Sequence, residues 1–383
     1  MLSIMMLSRF ESLLPGLVEL YKDLHAHPEL SFDALPVAEK TGLDCASTAT
    51  GVDQDGRRVP VMHACGHDMH VTCLLGALDL LAGGKEAWSG TVVAVFQPAE
   101  EIDAGARAMV DDGLFDRFGI PDVVLGQHVA PFPAGMVGSH PGPAMAASDS
   151  LLIRIFGRGG HASQPQTAID PVVMAASTVM RLQTVVSREV GGDEMAVLTV
   201  GSLQAGTKDN IIPDEAELKV NIRTYSEPVR ERVLGAVERI VRAEAAASGA
   251  ERDPEISFIT SLPVLVNDPD TVEQTLTAFR EHFGDTAVFD PGPAAGSEDF
   301  GVLGTAAGVP ACYWAFGGVD PAVFAAAKRA ETIDRDIPAN HSPFFAPVIE
   351  PSIDTGVRAM SIAALTWLEG SATAGMSAAI NHG

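Results

Sequence analysis

Apolar positions along the chain fall into two textures. Leu13, Leu14, Leu17, Leu20, Tyr21 and Leu24 recur at helical spacing and predict a helix over about 11–26. Pro28 ends it by disfavouring helical backbone at His27. Val71, Leu74, Leu75, Leu78 and Leu81 predict a second helix, opening directly behind His63-Ala64-Cys65-Gly66-His67-Asp68-Met69-His70. Gly90-Thr91-Val92-Val93-Ala94-Val95-Phe96 is short, continuous and β-branched, which predicts a strand buried on both faces, as in a parallel sheet. It feeds Gln97-Pro98-Ala99-Glu100-Glu101 and then a helical stretch from about Ala104 to Leu114. Asp122 to His128 predicts a second buried strand.

Near residue 148 the texture changes. Leu151 to Phe156 is strand-like, Gly157-Arg158-Gly159-Gly160-His161 is a Gly-rich turn, and a helix is expected over about 170–190. Strands follow at 195–203 and 214–224. In the latter Leu218, Val220 and Ile222 face one way, and Lys219, Asn221 and Arg223 the other. A helix at about 227–246 completes a β-α-β-β-α-β order, the pattern of a split βαβ, ferredoxin-like module. One face of such a sheet is left uncovered, which invites dimerisation or docking. From about 262 the first texture returns, with a helix at 269–283, a strand at Ala311–Phe316, Asn340-His341-Ser342-Pro343, and a last helix at about 350–369. The tail after Gly370 is small and polar and is expected to fray. The reading is an α/β protein whose mostly parallel-sheet catalytic domain (1–147 and 262–383) is interrupted by an inserted α+β domain (148–261).

Composition changes this picture little. A chain of 383 residues exceeds what one core usually holds, which agrees with two domains. Fifty acidic against 25 basic residues, a net charge of −25, argue against nucleic acid or an anionic membrane as partner. Cys45, Cys65, Cys73 and Cys312 have no framework spacing, so a disulfide scaffold is not expected. No apolar run approaches 18 residues, and Met1 to Arg9 lacks the basic start of a signal peptide, so the expected compartment is the cytoplasm.

The candidate chemistry is more pointed. Cys65 and His67 lie two apart where a turn opens a helix, a place that favours a thiolate. Glu100, Glu101 and His128 sit at the carboxyl ends of the two predicted strands, where open α/β sheets hold their ligands. With His341, the candidate ligands Cys65, His67, Glu101, His128 and His341 number five. That is too many for one tetrahedral catalytic ion with an open position. It suits two metals about 3.5–4 Å apart, bridged by a ligand and a water or hydroxide. Thiolate and imidazole favour zinc, and carboxylate widens the choice to manganese or cobalt. Of two adjacent glutamates on a turn, one can bind metal while the other takes a proton. Asp68 and His70 read as groups that orient the ligands or open the helix. His25, His27 and His140 are expected near the mouth of the crevice, and His282 and His382 in solvent. Neither a phosphate loop, a Rossmann fingerprint, a nucleophile elbow nor a zinc deaminase pattern is present.

The segments His27-Pro28-Glu29-Leu30, Asp33-Ala34-Leu35-Pro36, His63 to His70, Gln97 to Glu101, Gly159-Gly160-His161-Ala162-Ser163, Asn210-Ile211-Ile212-Pro213, Gly296-Ser297-Glu298-Asp299-Phe300 and Asn340 to Pro343 together cover nearly the whole chain. In that order they resemble the amidohydrolase branch of the aminoacylase/carboxypeptidase metallopeptidase family, which includes hippurate hydrolase, N-acyl-amino-acid amidohydrolase and auxin-conjugate hydrolase. The resemblance implies hydrolysis of the amide bond of an N-acyl amino acid by a metal-bridging hydroxide. It implies two divalent ions per subunit on Cys65, His67, Glu101, His128 and His341, with Glu100 as general base. It also implies a lid that forms a homodimer, and His161 as an oxyanion donor that often reaches the partner subunit's site. The plainer reading of His161 is a residue capping a tight turn. Asn210 and Arg223 are candidates to hold the substrate carboxylate, although Arg223 also reads as a solvated strand-face charge.

One departure stands out. Relatives place a helix and several strands between the His-Pro-Glu-Leu and Asp-Ala-Leu-Pro motifs, whereas here only Ser31 and Phe32 separate Leu30 from Asp33. The shortening is expected to leave sheet edges unpaired and apolar surface exposed. Two alternatives therefore stand beside the amidohydrolase: a catalytically silent remnant, and a dipeptidase or diaminopimelate deacylase.

Overall fold

The computed structural model describes residues 9–29, 36–53, 56–102 and 104–380, with side chains as far as 368. In chain order the elements used below are α1 (Phe10–Ala26), β1 (Thr50–Val52), β2 (Arg58–Pro60), α2 (His67–Gly83), α3 (Gly105–Asp111), α4 (Leu114–Phe118), β3 (Val124–Pro133) and β4 (Val137–Gly138). Then come β5 (Ala147–Phe156), β6 (Gly160–His161), α5 (Pro171–Glu189), β7 (Ala196–Ala205), β8 (Ile211–Ile212), β9 (Glu215–Thr224), α6 (Glu227–Ala247) and β10 (Glu255–Leu262). The last are α7 (Pro269–Phe283), β11 (Val288–Phe289), β12 (Ala311–Val319), α8 (Pro321–Ala330) and α9 (Ile349–Ile380). Contacts group them into two units: 1–144 with 266–292 and 302–383, and 145–265 with 293–301. No described helix is long and apolar enough to cross a membrane.

The first unit is built on a mixed sheet of order β11-β4-β12-β3. β11 runs parallel to β4, and β12 parallel to β3, with Ala315 opposite His128. The apolar stripe of α1 buries Phe10, Leu17 and Tyr21, as its spacing requires. α2 is apolar on most of its circumference and is buried accordingly, with Met69, Cys73 and Leu80 in a core shared with Val129, Trp314 and Phe316 of the sheet and Ile353 and Val357 of α9. At Gly76 the helices come so close that a Cβ would meet Val357 and Leu17 at 2.7 and 2.8 Å. Gln127, a buried polar residue in this core, is paired on both sides: Trp314 Nε1 donates to Gln127 Oε1 at 3.1 Å, and Gln127 Nε2 donates to the Gly356 carbonyl at 3.1 Å.

The second unit is a four-stranded sheet of order β10-β5-β9-β7, every neighbouring pair antiparallel. With α5 and α6 between its strands, this is the split βαβ arrangement. Alternation in β9 sends Leu218, Val220 and Ile222 into a core with Met174 and Leu182 of α5 and Val233 and Val237 of α6. Asp170 caps α5 by accepting from the Val172 N–H at 2.8 Å, with Pro171 in the first turn. Arg230 of α6 is held bidentately by the buried Asp149 of β5 at 2.6 and 2.8 Å. Residues 293–301 join this unit through Ala146 N–H, which donates to the carbonyls of Ala294 and Gly296.

Three expectations need correction. The run Thr91–Phe96 is in no strand, and Val92, Val93 and Phe96 are partly or well exposed rather than buried, Val93 by 45% and Phe96 by 46%. A strand is stable only beside a neighbour that takes its backbone groups, and none of the described residues supplies one. The junction at Phe32 and Asp33, where a missing segment is expected, lies outside the described residues. The helical stretch expected at 104–114 is two short helices, α3 and α4, separated by Gly113 at φ +83°. The tail expected to fray continues as α9 to Ile380, in keeping with the helix-favouring alanines beyond Gly370.

Candidate metal centre

The backbone at Gly66 sets the geometry. Gly66 has φ +90° and stands at the start of α2, so Cys65 and His67, on either side of it, turn toward one place. A side chain there would be strained, and its Cβ would lie 2.4 Å from Val129 Cγ1. Val129 follows His128 on β3. The His128 Nδ1–H donates to the Val129 carbonyl at 2.7 Å, which leaves Nε2 facing Cys65 Sγ at 3.4 Å. Burial pushes the His128 pKa below its ordinary value, which favours the neutral ring that a metal ligand needs. Glu100 and Glu101 form a single 3₁₀ turn after Ala99, and His341 precedes Ser342 on a loop tied by its own N–H to the Ala64 carbonyl at 2.8 Å. Ala99 and His341 both have positive φ, +58° and +72°. Such backbone is costly for residues with a side chain and gathers at sites where function demands it.

These side chains converge. His67 Nε2 lies 3.6 Å from Glu100 Oε2 and 3.9 Å from Glu101 Oε1, and His341 Nε2 lies 3.4 Å from Glu101 Oε2. Cys65, His67 and His128 form one group of donors within 4.8 Å of each other; Cys65, Glu101 and His341 form a second, and His67, Glu100 and Glu101 a third. Cys65 belongs to the first two. The five sequence-derived ligand candidates and Glu100 are thus gathered in one place within the first unit. The donor set of a thiolate, three imidazoles and a carboxylate fits borderline divalent cations, and two triads sharing one sulfur fit a pair of them.

Other residues brace the candidate ligands, and sequence reading missed most of these links. Asn340 Nδ2 donates to the Cys65 carbonyl at 3.1 Å and the Val129 carbonyl at 3.3 Å. It stood in a recognised motif without an assigned role. His70 Nε2 accepts from the Val129 N–H at 2.9 Å, and burial holds its pKa well below the ordinary value, so it stays a neutral acceptor. The three histidines expected at the mouth separate. His25 is fully buried between Asp68 and Glu39; His27 is exposed and bonded to the Asp23 carbonyl; His140 pairs with Asp290 on the surface. His25 continues the buried stripe of Phe10, Leu17 and Tyr21 on α1, which is why it turns inward. His282 is exposed, and His382 lies outside the described residues.

His161, Asn210 and Arg223 all belong to the second unit. His161 is exposed on β6, and its Nδ1 accepts from the N–H and hydroxyl of Ser163 at 3.1 and 2.8 Å. Its strand pairs with β8, and the Asn210 carbonyl accepts from Ala162 N–H, so His161 and Asn210 are neighbours beside an open cavity of about 610 Å³ lined by Ala162, Lys208 and Ile211 among others. Arg223 is not a free strand-face charge. It donates to Asn221 Oδ1, the Ala295 carbonyl and Ser297 Oγ, each at 3.2 Å, and so fastens the 293–301 segment to β9.

Comparison with known proteins gives a consistent result. A family model described as peptidase family M20/M25/M40 matches residues 31–350. N-acetyl-L-cysteine deacetylase from Bacillus subtilis is 38% identical over 269 residues, 70% of this chain and 61% of that protein. Hippurate hydrolase from Campylobacter jejuni is 38% identical over 271 residues, 70% of this chain and 67% of that protein. The crystal structure of a Bacillus subtilis dinuclear metal-binding peptidase of the M20 family superposes with a TM-score of 0.72 at 26% identity, over 94% of this chain and 99% of that one. Against two Bacillus subtilis deacetylases of N-acetylcysteine, the chain spans only 61% and 59% of their lengths.

Proposed function

The chain belongs to peptidase family M20/M25/M40, and we propose that within it the chain is a metal-dependent amidohydrolase that cleaves the amide bond of N-acyl amino acids. The observation that carries this reading is the convergence of Cys65, His67, Glu101, His128 and His341 with the carboxylate of Glu100 beside them. Cys65, His67 and His128 would hold one divalent ion, and Cys65, Glu101 and His341 the other; zinc, manganese and cobalt all suit these donors. When bound, such ions polarise a carbonyl and acidify water. Glu100, which faces His67 but falls outside both triads, takes the proton of the attacking water and returns it to the leaving amine. The buried walls contributed by Val129 and Ala64 restrict bulk water around these groups. His161, whose Nδ1 is occupied by Ser163, has Nε2 left to donate to a developing oxyanion, and Asn210 beside it is suited to a substrate carboxylate. A homodimer through the second unit is part of the same reading.

The acyl group is of the small or aromatic kind named for the relatives, which include deacetylases of N-acetylcysteine and of N-acetyldiaminopimelate and a hippurate hydrolase. The second reading, a catalytically silent member of the family, is favoured by one observation: the exposed run Thr91–Phe96 that leads into Glu100. Purified protein loaded with zinc, manganese or cobalt is expected to bind two ions and to turn over N-acetyl amino acids or hippurate. Glu100→Gln is expected to keep the metal and lose about 10²–10⁴-fold in kcat. Two bound ions with no turnover of any acyl or dipeptide substrate would favour the silent member; less than one ion per chain would sink the amidohydrolase.

A further inference from the structure

One buried ionic cluster lies outside the donor groups and has no part in the chemistry above. His25 lies in the last turn of α1, Asp68 is the second residue of α2, and Glu39 lies on the strand-free segment after residue 36. His25 Nδ1 is 2.6 Å from Asp68 Oδ2, and His25 Nε2 is 3.2 Å from Glu39 Oε1. All three side chains are at most 1% exposed. Ionised carboxylates only accept, so an imidazole bonded to one at each nitrogen must donate twice, as imidazolium. The carboxylates are anchored in turn. Asp68 Oδ1 accepts from Met69 N–H at 2.9 Å, while Glu39 accepts from the Thr41 hydroxyl and, at 2.5 Å, from the Ser47 N–H. The cluster therefore ties the first turn of α2, where His67 stands, both to α1 and to the chain on the far side of the 30–35 junction.

We propose that His25 is a positioning residue for the metal centre: through Asp68 it fixes the first turn of α2, and with it the directions of Cys65 and His67. The argument is geometric. Asp68 adjoins His67 in the chain, and its side chain is bonded on one oxygen to the helix backbone and on the other to His25, so the turn cannot rotate without breaking a buried charge-assisted bond. Gly66 leaves this turn little stiffness of its own, since a residue without Cβ permits many backbone angles. Tyr21, whose ring centroid is 5.6 Å from that of His25, and Cys45 complete the surroundings. Burial alone would strip the charge from His25, but the bonds and charges of Asp68 and Glu39 outweigh it and raise its pKa.

This inference rests on the ligand assignment for Cys65 and His67, and the test separates the two. Cobalt(II) is titrated into metal-free full-length protein, following the affinity and the visible absorption that reports thiolate and imidazole geometry. Wild type that takes up no cobalt would overturn the ligand assignment and this inference with it. With wild type binding, His25→Leu is expected to weaken cobalt by about ten- to a hundredfold and to alter the spectrum. His25→Asn, which can still donate to Asp68 from the place of Nδ1, is expected to recover most of the affinity and the wild-type spectrum. Leu80→Ala, a core truncation further along the same helix, serves as the purely structural control: it should lower the melting temperature yet leave cobalt affinity and spectrum unchanged. Should His25→Leu fail to fold, His25→Asn against Leu80→Ala still decides. His25→Leu with wild-type affinity, His25→Asn no better than His25→Leu, or Leu80→Ala losing more cobalt affinity than His25→Asn would overturn the positioning role.

Discussion

Gly66→Ala is the sharpest single perturbation of the metal centre, because its cost can be worked from two independent terms. The residue has φ +90°, and a left-handed conformation costs a residue with Cβ about 1–2 kcal/mol. The new Cβ would also sit 2.4 Å from Val129 Cγ1, well inside contact distance, and Phe345 at 3.4 Å closes the other side. Overpacking of a filled site costs about 1–3 kcal/mol, so the sum is about 2–5 kcal/mol. The strain does not stay local. Val129 is bonded through its N–H to His70 and through its carbonyl to His128 and Asn340, so pushing it aside moves a proposed ligand and two braces together. Denaturant unfolding of the metal-free protein measures the stability loss, and cobalt titration measures the loss of binding. Val129→Ala in the Gly66→Ala background removes the clash but not the strained φ. The double variant should therefore regain part of the loss, with a coupling of about 0.5–3 kcal/mol. A Gly66→Ala protein within about 0.5 kcal/mol of wild type, or strictly additive losses in the cycle, would refute the reasoning.

Three further outcomes follow from the same physics. The folded-state pKa of His25 is raised, so its stabilising contribution is fully present below the unfolded value of about 6.5 and is lost as pH rises through the folded value. The gap in unfolding free energy between metal-free wild type and His25→Asn should therefore narrow from pH 6 toward alkaline pH, and a gap that widens would contradict this. Arg230→Met strands the buried carboxylate of Asp149 and should cost about 3–5 kcal/mol, largely recovered by adding Asp149→Leu; chemical denaturation of the single and double variants checks it. Val93→Lys, on the exposed run of β-branched residues, should slow aggregation seen by light scattering while changing stability by no more than about 0.5 kcal/mol, and an unchanged aggregation rate would show that the run is not the sticky surface.

What was legible in the sequence was whatever a short stretch decides by itself. The alternation of β9 gave its buried face because every second residue on a strand points the same way. The α2 helix and the placement of Cys65 and His67 at its start were legible because a glycine and an apolar run define a helix opening locally. The candidate ligands could be named from residue type and position, but their convergence was not legible, since nothing local says that a loop at His341 returns to Ala64. Two kinds of feature were not legible. One is the side chain whose role depends on a distant partner: the expectation that His25 lies near the mouth fails because the carboxylates of Asp68 and Glu39, elsewhere in the chain, make its burial tolerable. The other is pairing. Gly90–Phe96 has every residue a buried strand needs, yet strand formation is a property of two segments, and a neighbour is what this chain does not provide among its described residues.

That contrast bears on the chemistry, because the two proposed cation triads do not depend on the same parts of the fold. Cys65, His67 and His128 hang on α2 and β3, which share a buried core and are braced by His70 and Asn340. The second triad adds Glu101, which follows the unpaired run, and His341, which is 57% exposed on a loop of positive φ. Rigid donors lose little freedom on binding a cation, whereas donors on a loosely held segment must be ordered first, and that ordering is subtracted from affinity. Cobalt should accordingly bind in two classes, the tighter one removed by His128→Ala and the weaker one alone by His341→Ala, as read by titration calorimetry. Two classes of equal affinity, or loss of both on His341→Ala, would mean that the unpaired run does not weaken the arm that carries Glu100 and Glu101.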